Sequence, residues 1–330
     1  MRDTLSAFSD YLSRLSPRKA LLLASCVLII VFSFYLRFVS APADFPTGLL
    51  YEVSRGRSLS AVAADLDARH VIRSQFMFKG FVTILGLGRG AVAGDYEFDS
   101  KDTVIGVAYR IGRGAYGLTR LKVTIPEGTS SAQIARLFGP QFYRFDAEAF
   151  AELGKKYEGY LFPDTYYFLP NVTAGEAARA MLANYQSKIA DIADLVRAFG
   201  KPAKDVIVMA SIIEEEARTT ESRRIIAGIL WKRLAERMPL QVDATFASVN
   251  GKTKSSELSL DDLKIDSPYN TYVYRGLPPG PISNPGLDSI RAAVTPIATK
   301  YYFYLSDKKG EMHYAVTHDE HVANKFKYLK

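Results

Sequence analysis

From Ala20 to Tyr35 the chain carries no charged side chain, and Phe38-Val39 extend that apolar run past Arg37. Roughly 17–25 residues cross the hydrocarbon core of a bilayer, so residues 20–39 read as one transmembrane helix. This run constrains the fold more than any other stretch, because whatever follows it must fold on one side of a membrane. Arg14, Arg18 and Lys19 precede the run, and positive charge on that flank places residues 1–19 in the cytoplasm as a short tail. Everything after Ser40 is then extracytoplasmic, which makes the chain a single-pass protein of the cytoplasmic (inner) membrane. A cleaved signal peptide is the rival reading, since Ser40-Ala-Pro-Ala43 offers small residues. The long polar lead and the length of the run favour a retained anchor. Leu23-Ala-Ser-Cys26 looks like a lipidation box, but the apolar run continues well past Cys26. Residues 40–48, with Ala, Pro and Gly, read as a short tether.

The 330 residues are 48% hydrophobic and 12% aromatic, enough for two domains with real cores beyond an anchor. A formal charge of +7 suits an anionic partner, whether wall polymer, lipid headgroup or nucleic acid. Nucleic acid is disfavoured, because no dense Lys/Arg cluster, zinc finger or RNA-binding signature appears. The single Cys26 excludes an internal disulfide framework and a cysteine-based metal site.

Beyond the tether, Tyr51-Glu-Val53 reads as a strand, Gly56 as a turn, and Val62-Ala63 with Leu66 as the apolar face of a helix. The phrase returns at Val123-Thr-Ile125, Gly128 and Ile134-Ala135 with Leu137. In both, an apolar pair follows six and seven residues after the glycine, which is a weak internal repeat of strand–turn–helix units. Gly86-Leu-Gly-Arg-Gly90 approximates a dinucleotide fingerprint but follows a helical stretch over 77–85 where the fingerprint needs a strand. It reads as a loop, and no cofactor is expected. Phe145 to Tyr157 is helical, further helices are expected over 173–197, 203–217 and about 220–237, and a short one spans 288–295. Residues 301–305 and 312–316 read as a terminal hairpin.

The most informative helix is Met209-Ala-Ser-Ile-Ile-Glu-Glu-Glu-Ala217. Met209, Ile213 and Glu216 share one stripe, at spacings of four and three. That sets a carboxyl against apolar surface, where ionisation is disfavoured and the pKa rises towards neutrality. Glu215 falls on the opposite, solvated side, and Glu214 flanks the stripe. A charged helix face with one tucked acid is the bland alternative.

The run from Ala210 to Glu216, then Glu221-Ser-Arg-Arg224, Ile229-Leu-Trp-Lys-Arg-Leu234 and Met238-Pro-Leu-Gln-Val-Asp243, resembles the signature of endolytic murein transglycosylases, the MltG/YceG-like family. Three further blocks agree: Glu158-Gly-Tyr-Leu-Phe-Pro-Asp-Thr-Tyr166; Ser267-Pro-Tyr-Asn-Thr-Tyr272 with Gly276 to Gly280 and Ile282-Ser-Asn-Pro-Gly286; and the hairpin through His321. The resemblance implies an α+β architecture: the transmembrane helix, a small LysM-like α+β module with connecting strands over 49–140, and a larger α+β catalytic domain over 141–330. It makes Glu216 the catalytic acid, the residue that helix geometry also selects. Tyr160, Phe162, Asp164, Thr165, Gln241, Asp243, Thr245, Tyr269, Asn270 and Tyr272 fall in its blocks as candidate substrate-binding residues. Aromatics such as Tyr160 and Phe162 fit a hydrophobic core equally well.

The implied reaction is cleavage of the MurNAc–GlcNAc β-1,4 bond within peptidoglycan strands, leaving 1,6-anhydro-MurNAc ends, on nascent glycan near the membrane. The implied partners are peptidoglycan strands and the bilayer, with peptidoglycan synthases as candidate protein partners. Asp243 is expected to position substrate; a role as base or nucleophile would make the enzyme a hydrolase. Ala244 stands where the family usually has Pro, and Phe246-Ala-Ser-Val249 also departs from the family's pattern. His313, His318 and His321 with Asp319 and Glu320 invite a metal reading, but their spacing matches no metal-binding helix and no metal is expected. The competing functional class is a non-catalytic, membrane-anchored peptidoglycan-binding scaffold.

Overall fold

A computed structural model describes residues 16–85, 90–252 and 257–329. The first fifteen residues of the tail and most of the glycine-rich fingerprint, residues 86–89, lie outside the described residues. The chain forms two compact units, Met1–Thr119 and Arg120–Lys330.

In the first unit, helix α1 (Pro17–Phe34) runs on through a wider π turn, Tyr35–Val39. Together they make one apolar helix of 23 residues, long enough to cross a membrane and almost wholly exposed. The stretch expected to be a tether is held fast. Val39 and Phe45 are buried in the unit's core, and Arg73 donates twice to the Ala41 carbonyl, at 3.1 and 3.0 Å. Lys101 Nζ donates to the Ala43 carbonyl at 2.6 Å, and His70 meets Asp44 at 2.5 Å. Strand β1 (Leu49–Val53), helices α2 (Leu59–Ala68) and α3 (Gln75–Ile84), strand β2 (Gly94–Phe98) and helix α4 (Val104–Arg113) follow. β1 pairs antiparallel with β2, Leu49 opposite Phe98. Tyr51, Phe78, Tyr96, Phe98 and Ile111 fill the core beneath them.

The second unit opens with the same order: β3 (Leu121–Thr124), α5 (Ser131–Leu137), α6 (Ala147–Tyr157), β4 (Thr165–Phe168) and α7 (Ala174–Ala190). β3 pairs antiparallel with β4, Leu121 opposite Phe168, which gathers residues 120–140 into this unit; the sequence division had grouped them with the preceding module. The repeat seen in the sequence therefore extends to a full strand–helix–helix–strand–helix order. Gly56 and Gly128 both take φ +77, a left-handed turn that glycine adopts without a side-chain clash. All six helices begin with a Ser, Thr or Asp accepting a backbone N–H: Ser58, Ser74 and Thr103, then Ser130, Asp146 and Thr173. Each side chain satisfies an otherwise orphaned helical donor.

The remainder is a helical core: α8 (Ala193–Phe199), α9 (Ala203–Glu216), α10 (Thr220–Ala235), the short α11 (Phe246–Asn250) and α12 (Leu287–Val294). The helix expected over 173–197 breaks at Asp191–Ile192 into α7 and α8. The chain ends in the hairpin β5 (Phe303–Ser306) and β6 (Met312–Ala315), followed by α13 (His318–Tyr328). Helix α9 is central, with every residue from Val206 to Ile213 buried. It has no solvated face over that length, because α10, α12 and the loop at 282–286 surround it.

Candidate active site

Helix α9 ends at Glu216, and the backbone turns extended at Ala217. Its C-terminal turn opens into a cleft of about 1310 Å³ whose lining includes Glu158, Glu215, Glu216, Gln241, Asp243, Tyr269, Tyr272 and Tyr304. Two acids of the Glu214–Glu216 triplet therefore face the cleft. Glu215 is solvent-exposed, as expected, yet it faces the same cleft as Glu216, because the cavity wraps around the end of the helix. Its carboxyl is hydrogen-bonded to Ser283, and desolvation within the cleft and the neighbouring Glu214 raise its pKa.

Glu214 turns away from the cleft and anchors the helix end. It accepts from Arg223 at 2.5 Å and from the Gly286 N–H at 2.8 Å. Arg223, nearly buried, also donates to the Ala217 carbonyl and to Asp288. One guanidinium thus caps the C-terminus of α9 and ties it to the start of α12.

The Pro-rich loop is bound along the same helix. Ile282 N–H donates to Ser211 Oγ at 3.1 Å. Asn284, fully buried, accepts from the Leu161 N–H and donates to the Thr129 carbonyl and to Glu158. Ser131 donates to Glu158 through both its N–H and its hydroxyl. Asn284 therefore fastens three chain segments, 128–131, 158–161 and 282–286, into one wall.

The other wall is built by α10, which aims polar side chains at backbone. Trp231 Nε1 donates to the Ala293 carbonyl, Lys232 to Thr299 and Arg233 to both Tyr302 and Leu240. These bonds deliver β5 so that the Tyr304 hydroxyl is hydrogen-bonded to Glu216. Burial pushes the Glu216 carboxyl up to about 7; the charge of Asp243 adds to the rise, while Tyr304 and the Ala244 N–H oppose it. The place of Glu216 at the negative end of a helix also favours the neutral acid. Ala244 matters here, since a Pro at that position would have no N–H to donate.

Asp243 is held by Tyr272, whose hydroxyl donates to Oδ1 at 2.5 Å. Gln241, at φ +52, donates its N–H to the Thr271 carbonyl and lines the cleft.

The structure thus brings Glu216, Gln241, Asp243, Tyr269 and Tyr272 together. It sets the other candidates behind or away from the cleft. Thr245 is fully buried and bonds Val242, and Asn270 clamps the carbonyls of Leu263 and Ile265. Tyr160 packs edge-on to Tyr185 against the core, and Phe162 is buried. Asp164 accepts from Asn184 and its own neighbour's N–H, and Thr165 opens β4 opposite Thr124. Sequence reasoning missed Tyr304, Arg233, Glu158 and Ser283. All four stand in blocks that carry the family resemblance, which was the signal available, but nothing in their spacing singled them out from their neighbours. Of the histidines grouped for metal, His313 lies with Asp307 and Glu311 in the hairpin turn, their ligand atoms within 4.8 Å of one another. His318 and His321 line the cleft instead.

Residues 51–327 match the YceG-like family. An endolytic murein transglycosylase of Bacillus subtilis (strain 168) is 32% identical over 313 residues, covering 87% of this chain and 86% of that protein. One from Streptococcus pneumoniae serotype 2 (strain D39) is 32% identical over 172 residues, 51% of this chain and 31% of that protein. The crystal structure of a yceG-like protein from Listeria monocytogenes superposes with a TM-score of 0.54 at 30% identity, covering 83% of this chain and 98% of that one. The chain belongs to the YceG-like family.

Proposed function

We propose that this protein is an endolytic lytic transglycosylase that cuts the MurNAc–GlcNAc β-1,4 bond within peptidoglycan strands and leaves 1,6-anhydro-MurNAc ends. The observation that carries the reading is the division of labour between two carboxyls: Glu216 is held protonatable near neutrality, while Asp243 is already engaged by Tyr272. Glu216 donates its proton to the bridging oxygen as the C1–O bond breaks, and the cation develops on the muramic acid. The resulting carboxylate then takes the proton of the C6 hydroxyl of the same sugar as O6 bonds to C1. Glu216 ends protonated again, and no water enters the product. An intramolecular nucleophile reacts at a very high effective concentration, so a second catalytic carboxyl is not required. Asp243 positions substrate.

The names of the relatives support this class of enzyme, and the helix at Pro17–Val39 supports anchoring to a membrane. The reading extends to a cytoplasmic N-terminus, an extracytoplasmic cleft acting on nascent strands near the bilayer, and a LysM-like glycan-binding role for the first module. Mass spectrometry of digested peptidoglycan tests the chemistry. Anhydro ends are about 18 Da lighter than hydrolysed ends, since hydrolysis adds a water. Reducing ends, abolished equally by Asp243→Asn and Glu216→Gln, would mean that two carboxyls share the chemistry and the assignment is wrong.

A further inference from the structure

The cleft floor is acidic, yet one wall is not. Helix α13 places His318, His321 and Lys325 at i, i+3 and i+7, and all three line the cleft. None of the three has a carboxylate partner among the described residues. Both imidazoles flank Phe303, His321 stacked on its face at 5.4 Å and His318 edge-on at 5.8 Å, while the Arg233 guanidinium also lies over that ring. The Nδ1 atom of His321 is buried without any hydrogen-bond partner. A buried lone pair costs less than a buried unpaired N–H, so the ring carries its hydrogen on Nε2. Burial holds this ring neutral, down to about 4, and the charges acting on it, from Lys325, His318 and Arg233, are all cationic. This wall therefore offers donors and positive charge, with no carboxylate among the described residues to satisfy them.

The glycan backbone of peptidoglycan is uncharged and gains nothing from such a wall. The carboxylates of that polymer belong to the short peptides carried by its muramic acids. We infer that the His318–His321–Lys325 stripe of α13 receives a stem-peptide carboxylate, so that the enzyme selects strands whose peptides carry free carboxylates over strands whose peptide carboxylates are masked. The inference rests on the transglycosylase reading and adds a specificity element to it. Lys325 supplies the charge, and His321 supplies a fixed neutral donor. Phe303 holds the imidazole in place.

The test uses the full-length protein in detergent with two substrates: uncrosslinked, peptide-bearing glycan strands freed of lipid carrier, and the same strands with their peptide carboxylates converted to neutral methylamides. The expected kcat/KM ratio is about tenfold in favour of the strands with free carboxylates, equivalent to about 1.4 kcal/mol. Lys325→Gln should bring that ratio close to one through a higher KM on the free-carboxylate substrate, and Lys325→Arg should restore it. Equal cleavage of both strands by the unaltered protein overturns the inference. So does a Lys325→Gln protein that loses activity on both in proportion, the pattern of a merely structural residue. Cleavage of neither substrate overturns the transglycosylase reading and this inference with it.

Discussion

The hydroxyl of Tyr304 is hydrogen-bonded to the carboxyl of Glu216, and the two are brought together from chain positions almost ninety residues apart by the straps of α10. The phenol favours the ionised acid, opposing the burial and the Asp243 charge that favour the neutral one. The working pKa of Glu216 is therefore a balance, and each side of it can be altered separately.

A general acid must be protonated, so kcat/KM should fall as pH rises through about 7, the value to which Glu216 is pushed. Asp243→Asn removes a charge that raises this pKa and should move the falling limb to lower pH. Tyr304→Phe and Ala244→Pro each remove a donor to the carboxylate and should move it to higher pH. A pH–rate profile for the three variants checks all three directions; a common direction would contradict the arrangement around Glu216.

Glu216→Gln should lower turnover by about 10²–10⁴-fold, the usual contribution of a positioned acid. Stability should change in the opposite sense. An acid whose folded pKa lies above its unfolded value binds its proton more tightly in the native state, so its contribution to stability weakens as pH rises from about 4.5 through 7. Glutamine carries no such proton. Thermal melting should show the variant gaining on the parent above pH 7 and losing that advantage below pH 5.

Arg223 and Glu214 form a nearly buried pair, with side chains 10% and 5% exposed. Removing one partner of such a pair strands the other charge, at a cost of about 3 kcal/mol or more. Arg223→Met should therefore lower the melting temperature by several degrees and impair activity, because the end of α9 loses its cap. Glu214→Gln should cost less, since Arg223 keeps its bond to Asp288. Calorimetry of the two variants gives the comparison.

Gly56 and Gly128 share a backbone conformation but not surroundings. A Cβ on Gly56 meets nothing within 4 Å, whereas one on Gly128 would stand 2.6 Å from Glu215 Oε1. Gly56→Ala should cost only the left-handed strain, about 1–2 kcal/mol. Gly128→Ala adds displacement of Glu215 and should lower kcat/KM as well. Thermal shift and kinetic assays on both proteins separate the two effects.

Much of this was legible in the sequence because its signals are local. The apolar run, the hairpin and the first half of the duplicated strand–helix order are fixed by neighbouring residues. The stripe argument chose Glu216, yet it assumed an amphipathic helix. Where α9 is enclosed on every side, residue spacing cannot say which acids meet a cavity, and Glu215, exposed as expected, proves to share the cleft for that reason. Tyr304, Arg233 and Asn284 act through contacts across 60–160 residues, which no local pattern encodes. The aromatic block at 158–166 supplied one cleft residue, Glu158, while its rings went to the core.

The clamp on residues 41–44 removes a degree of freedom. An anchored protein on a slack leash explores a volume set by the length of that leash. Here Arg73, Lys101 and the His70–Asp44 pair weld the end of the apolar helix to the first compact unit. Tilting or turning that helix must turn the unit with it, as a handle turns a key.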